Sequence, residues 1–216
     1  MKKIVMSVLA ALLVTTCLNA ESVKGTYFGL GYGSSIYDDG GYLDDLKRNR
    51  DRVSPSTGIT ENYSSSGYKI YGGYQFNKII AVEASYAEYG TYSLDFSNGN
   101  NKEMKPTAIA VAANIGYNFG TKKEFRPFAI IGLSALNIND TGNVDFYDNN
   151  SGSAIRFGLG FEYTPEVLQG IGFRVAYEGD YFSSKTPSNA DSEFEDSYFQ
   201  SMNMYYVSVQ YNSRIR

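Results

Sequence analysis

The chain has 216 residues, a formal charge of −4 and a mean hydropathy of −0.31, below that of a polytopic helical membrane protein. It holds 20 Tyr, 13 Phe and 22 Gly against 5 Pro, a balance that favours strands and turns over helices. There is no histidine, which excludes Ser-His, Cys-His and Asp-His catalysis, His-ligated metals and an imidazole switch, and the net negative charge without a long basic run excludes nucleic acid as a partner.

The chain opens as a secretory signal peptide: Met1-Lys2-Lys3, an apolar run from Ile4 to Leu13, then Val14-Thr15-Thr16-Cys17-Leu18-Asn19-Ala20. The run is too short for a spanning helix of ~20 residues. Cleavage after Ala20 is expected, giving residues 1–20 as leader and 21–216 as one domain. A competing reading makes Cys17 a lipidated first residue, for which Thr16 is a poor preceding residue. Removal of the leader leaves a chain without cysteine, so no disulfide forms.

Alternation then recurs to the end. The first strand sets Phe28, Leu30, Tyr32 and Ile36 against Gly29, Gly31 and Gly33. The second sets Tyr68, Ile70, Tyr74 and Phe76 against Lys69, Tyr71, Gly73 and Gln75. Only Asn77-Lys78 separates it from the third, where Ile80, Val82, Ala84 and Tyr86 oppose Ala81, Glu83 and Ser85, so a tight hairpin is expected. The fourth runs Thr107, Ile109, Val111, Ala113, Ile115, Tyr117, Phe119 against Ala108, Ala110, Ala112, Asn114, Gly116 and Asn118. The fifth, roughly Arg126 to Leu136, is apolar on both sides and its faces cannot be assigned. In the sixth, Ile155, Phe157, Leu159, Phe161 and Tyr163 face away from Arg156, Gly158, Gly160 and Glu162. The seventh sets Ile171, Phe173, Val175 and Tyr177 against Gly172, Arg174, Ala176 and Glu178, and the eighth sets Tyr205, Val207, Val209 and Tyr211 against Tyr206, Ser208 and Gln210.

The connections alternate in length. Short links fall at Asn77-Lys78, Gly120 to Glu124 and Thr164 to Gly170. Long polar ones fall near Asp38 to Ser65, Gly90 to Met104, Asn137 to Asn150 and Ser183 to Ser201. Short turns on one rim and long loops on the other predict an all-β, eight-stranded antiparallel up-and-down transmembrane β-barrel with short periplasmic turns and long extracellular loops. A sheet in lipid must close to leave no backbone group unpaired. The bulky face, with Ile70, Val82, Ile109, Val111, Phe157, Leu159, Phe173, Val175, Val207 and Val209, is then expected to face lipid. Tyr74, Phe76, Tyr117, Phe119, Phe161, Tyr163 and Tyr211 are expected to form an aromatic girdle near the short turns. The small face points inward and carries the charges Lys69, Glu83, Arg156, Glu162, Arg174 and Glu178, with Asp180 as a further candidate. Their near balance predicts a ladder of ion pairs filling a narrow lumen.

The run Gly67-Tyr68-Lys69-Ile70-Tyr71-Gly72-Gly73-Tyr74-Gln75-Phe76-Asn77-Lys78, continuing to Ala81-Val82-Glu83-Ala84-Ser85-Tyr86, resembles the second hairpin of small outer-membrane barrels related to outer membrane protein A and the opacity proteins, as does Tyr27-Phe28-Gly29-Leu30-Gly31-Tyr32-Gly33 after a leader. The resemblance covers essentially the whole chain after the leader. It implies an integral protein of the cell outer membrane, with outer-membrane lipids and lipopolysaccharide as surroundings and the barrel assembly machinery engaged through an aromatic residue closing the last strand. Here Tyr211 would serve as that residue, although Asn212 to Arg216 follow it.

Other patterns have plainer readings. Gly29-Leu30-Gly31 and Gly158-Leu159-Gly160 lie within strands and precede no helix, so lumen packing explains them better than phosphate binding. Asn139-Asp140-Thr141-Gly142 to Asp148 is rich in oxygen but lacks calcium-loop spacing. Asp44-Asp45, Lys47, Arg48, Arg50 and Arg52 read as a mixed-charge surface loop, with contact to lipopolysaccharide phosphates as the alternative. No metal, cofactor or enzymatic activity is expected. The expected role is structural and surface-exposed, with loops available for adhesion or for a host or surface ligand. The alternatives are a narrow porin-like channel for small ions or solutes, and a soluble exported barrel that binds an apolar ligand.

Overall fold

The computed structural model describes residues 24–41, 59–97, 99–119, 124–142, 151–185 and 197–215. The leader, the charges from Asp44 to Arg52 and most of the Asn139 to Asp148 segment lie outside them. Among the described residues no helix is long and apolar enough to cross a membrane.

Among the described residues twelve strands form two sheets. The first is a closed barrel of eight strands in the order β1 (Lys24–Asp38), β12 (Ser197–Ile215), β11 (Ile171–Lys185), β10 (Ser151–Tyr163), β8 (Phe125–Asn137), β7 (Thr107–Gly116), β4 (Ile80–Glu88) and β3 (Ser66–Gln75), which pairs back onto β1. Every neighbouring pair is antiparallel, and all but one join strands adjacent along the barrel's path. That exception, β1 with β12, closes the cylinder and carries Leu30 opposite Val209.

Register fixes the shape. Following paired positions once round, from Asp38 to Ser201, Tyr181, Ile155, Leu133, Val111, Ala84, Gly72 and Phe28, returns to β1 ten residues from the start. For eight strands such a stagger tilts them by roughly 40° and leaves an interior just wide enough for side chains. The short turns are built locally. In the β3–β4 turn the Asn77 side chain accepts hydrogen bonds from the backbone N–H of Ile79 and Ile80 at 2.8 and 2.9 Å. In the β10–β11 turn Gln169 and Gly170 take left-handed φ values of 49° and 103°, where glycine is free of strain.

The second sheet lies in segments read from sequence as loops. Its order is β2 (Ile59–Tyr63), β5 (Tyr92–Phe96), β6 (Asn101–Met104) and β9 (Asp140–Gly142). This order repeats that of β3, β4, β7 and β8, because each short strand continues one barrel strand past a break. The breaks fall side by side, at Ser64-Ser65, Tyr89 to Thr91, Lys105-Pro106 and Ile138-Asn139. Backbone bonds span them: Ser64 N–H to Thr91 O at 2.8 Å, Tyr89 N–H to Pro106 O at 2.9 Å and Lys105 N–H to Ile138 O at 3.1 Å. Proline without an N–H and Asn139 at φ 46° cannot continue a regular ladder, so four strands bend along one line. On the other side, β11, β12 and β1 run on unbroken.

Candidate functional site

Strand alternation divides the residues between the two faces of the wall. Inward positions on β1, β3, β10, β11 and β12 are mostly buried and outward ones mostly exposed. The outer face carries Ile70, Val82, Ile109, Val111, Phe157, Leu159, Phe173, Val175, Val207 and Val209, all exposed. Near the short turns Phe76, Tyr117, Phe119, Phe161, Tyr163 and Tyr211 are exposed and Tyr74 is half-buried. Tyr74 packs edge-on against Phe76, and Tyr117 against Phe119. A second outward row of tyrosines, Tyr32, Tyr68, Tyr86, Tyr177 and Tyr205, lies toward the long-loop rim on β1, β3, β4, β11 and β12, with Tyr177 and Tyr205 ring to ring at 4.5 Å. Sequence reading placed these on the bulky face without recognising the row, because it appears only once tilt and register align the strands.

The interior is where the charges meet. Lys69, Glu83, Arg126, Arg156, Glu162, Arg174, Glu178 and Asp180 are all buried, four basic and four acidic among the described residues. Six of them join into one alternating chain: Arg126 to Glu162 at 3.2 Å, Glu162 to Arg174 at 2.8 Å, Arg174 to Glu83 at 2.8 Å, Glu83 to Lys69 at 3.1 Å, and Lys69 to Glu178. Arg156 and Asp180 form a separate pair nearer the long-loop rim, with Arg156 Nε 2.8 Å from Asp180 Oδ1.

Hydroxyls complete the coordination. Tyr27 donates to Glu83 at 3.0 Å, Tyr206 donates to Glu178, and Tyr89 and Ser134 donate to Asp180 at 2.6 and 2.7 Å. The Arg174 guanidinium lies 3.9 Å from the Tyr71 ring centroid and 4.8 Å from that of Phe128, and Lys69 sits between Tyr71 and Tyr206 at 5.2 and 5.3 Å. Cations held over ring faces and bonded to carboxylates recover part of the hydration they lose on burial. Asn114 Oδ1 and the Nε of Arg126 and of Arg174 have no hydrogen-bond partner among the described residues.

Glycines make room for these bulky groups. A Cβ on Gly29 would lie 2.3 Å from Tyr71 Cζ, one on Gly160 2.6 Å from Phe128 Cζ, and one on Gly158 2.5 Å from Glu178 Cγ. Small residues on one strand thus face large ones on the next.

Arg126 was missed in the sequence because its strand is apolar on both faces. The structure turns Arg126, Phe128, Ile130, Ser134 and Leu136 inward and exposes Phe125, Ile131 and Leu133. No cluster of three or more metal-ligating side chains occurs among the described residues.

Residues 6–212 match the family model described as outer membrane protein beta-barrel domain. No curated protein matches in sequence. Among solved structures, the outer membrane protein OprG of Pseudomonas aeruginosa is 13% identical with a TM-score of 0.52, over 90% of this chain and 98% of that one. Neisserial surface protein A is 14% identical with a TM-score of 0.48, over 86% and 96%. The attachment invasion locus protein Ail of Yersinia pestis, solved with the heparin analogue sucrose octasulfate, is 16% identical with a TM-score of 0.47, over 88% and 99%.

Proposed function

The chain belongs to the outer membrane protein β-barrel domain family, and from that membership we propose that it is an integral, non-conducting barrel of the outer membrane that presents its long-loop rim at the cell surface. The observation that carries this reading is the six-charge chain in the interior, where each of the charges in the middle meets partners on both sides. An ion that entered would have to displace a buried, paired side chain, and removing one partner of such a pair costs about 3–5 kcal/mol.

The outer wall supports the same reading. On β10 five successive outward places carry Ile155, Phe157, Leu159, Phe161 and Tyr163, all exposed, a surface that water would drive to aggregate and acyl chains would solvate. Residues 1–20 direct export, and Tyr211 near the end of β12 is the signal for the assembly machinery. The long-loop rim, where the β2-β5-β6-β9 sheet stands, offers the surface for adhesion or binding to a surface ligand, since loops on a rigid scaffold carry recognition. No catalytic role is assigned.

Planar-bilayer recording on the refolded mature protein tests the closed interior. No steady unitary current is expected. A large stable conductance from the unsubstituted protein would overturn the reading in favour of a channel.

A further inference from the structure

We propose that the barrel lies oblique in the bilayer, its β11–β12–β1 side sunk into the outer leaflet and its β7–β8 side, below the four-stranded sheet, raised from it. The inference rests on the outer-membrane reading above, and names how the wall meets lipid.

The argument compares the upper and lower limits of the apolar surface on opposite strands. In the closed order β12 stands across from β7, and β1 across from β8. The closing shift of ten residues, spread evenly over eight strands, gives each outward residue a level along the barrel axis. On β12 the apolar surface reaches up to Phe199, 68% exposed, whereas on β7 it ends at Ile109, below the less apolar Thr107. By the register Phe199 stands about five residues higher than Ile109. The lower limits shift the same way: Tyr211 on β12 ends about three residues higher than Phe119, which follows β7. A tilted strand rises ~2.4 Å along the axis per residue, so the belt is displaced by on the order of 10 Å between opposite sides. Across a barrel of this size that corresponds to an inclination of roughly 20°.

A second observation agrees. Between Tyr205 and Phe199 the outward positions of β12 are Asn203 and Ser201, polar residues that would end the belt if they faced water. Both are buried, and Asn203 donates to the Ser201 hydroxyl at 2.7 Å. Phe199 stacks on Tyr181 of β11 at 6.1 Å, and Ile36 of β1 is exposed about level with Tyr181, still above Ile109. The polar pair is thus covered, with Asn203 lying over Gly179 of β11, and among the described residues the apolar ridge rises highest above the tyrosine row on this side. Without an inclination, that ridge would stand in the headgroup layer while Ile109 and Leu133 lay level with acyl chains.

The protein contains no tryptophan, so single-tryptophan variants report depth directly. Phe199→Trp, Ile36→Trp, Ile109→Trp, Tyr211→Trp and Phe119→Trp, each in the mature chain, are refolded into phosphatidylcholine vesicles and quenched with lipids brominated at successive acyl positions. Heat-modifiable gel mobility confirms folding of each. An inclined barrel gives Phe199→Trp and Ile109→Trp the same depth of maximal quenching in one leaflet, with a ratio of quenching near one, and Tyr211→Trp and Phe119→Trp a common depth in the other. Quenching several-fold stronger for Ile109→Trp than for Phe199→Trp, with Ile36→Trp between the two, means an upright barrel and overturns the proposal while leaving the membrane reading intact. Water-like emission without quenching from all five overturns both.

Discussion

Arg174 and Glu83 meet at 2.8 Å in the barrel interior, and their contact is the joint between two halves of the ion-pair chain, Arg126–Glu162–Arg174 on one side and Glu83–Lys69–Glu178 on the other. Arg174→Met is expected to cost about 3–5 kcal/mol, because it leaves Glu83 and Glu162 each with one fewer cation in a buried setting. The double variant Arg174→Met/Glu83→Met should cost less than the two single changes added together. Urea titration in lipid vesicles with folded-band mobility as readout measures all three. Additive costs would show that the joint contributes no coupling.

Gly29 faces the Tyr71 ring so closely that a Cβ would overlap Cζ at 2.3 Å, and the Tyr71 hydroxyl is held by Ser208 at 2.8 Å and Gln210 at 3.0 Å. The ring therefore cannot swing away cheaply. Gly29→Val is expected to destabilise by about 1–3 kcal/mol through overpacking. Adding Tyr71→Leu, which frees the space, should return part of that loss. If Gly29→Val alone unfolds at the unchanged urea concentration, the close contact is not a constraint on the barrel.

Alternation made most of this architecture readable. Each strand from Ile155 to Tyr163 or from Ile171 to Glu178 separates large apolar residues from small and charged ones, so facing followed from period alone. The fifth strand escaped because Phe128, Ile130 and Leu136 point inward against Ile131 and Leu133 outward, and both faces look the same in sequence. The signal for Arg126 was present elsewhere: three inward cations against four carboxylates leave one acid short of a partner, and Arg126 was the cation in the strand that could not be oriented. The second sheet also left a trace. Tyr92-Ser93-Leu94-Asp95-Phe96 alternates, but Gly90 and Pro106 interrupt the pattern where the barrel strands break, so β5 and β6 read as loop. Which strands share a level depends on register, which one chain read in order does not reveal.

Leu159 lies midway between the ends of the apolar run on β10 and is 65% exposed. On a water-facing wall, Leu159→Arg would change stability by less than about 0.5 kcal/mol. On a wall in contact with acyl chains near the bilayer midplane it should cost roughly 2–4 kcal/mol. The same substitution at exposed Ser153, near the long-loop rim, is expected to be close to neutral. Paired urea titrations in vesicles decide the matter, and equal small effects at the two positions would count against lipid contact.

Ser35 ties the bent half of the wall to β1. Its side chain is buried, accepts from the Gly90 backbone N–H at 2.8 Å, and donates to Ser65 O at 3.3 Å, so it touches two of the four strand breaks at once. Beyond the breaks, the ring of Tyr37 on β1 meets that of Tyr92 on β5 at 5.2 Å, edge to face, which also holds the four-stranded sheet to the straight side of the barrel. Ser35→Ala leaves the Gly90 N–H without this acceptor and is expected to cost about 1–3 kcal/mol, the penalty of a buried unsatisfied donor. The loss should be local. Amide exchange of Gly90 and of Tyr92–Phe96 is expected to accelerate, while amides of Ile171 to Val175, near the opposite rim, keep their protection. Uniform acceleration over both regions would mean instead that Ser35 supports the barrel as a whole and that the sheet beyond the breaks does not move independently of it.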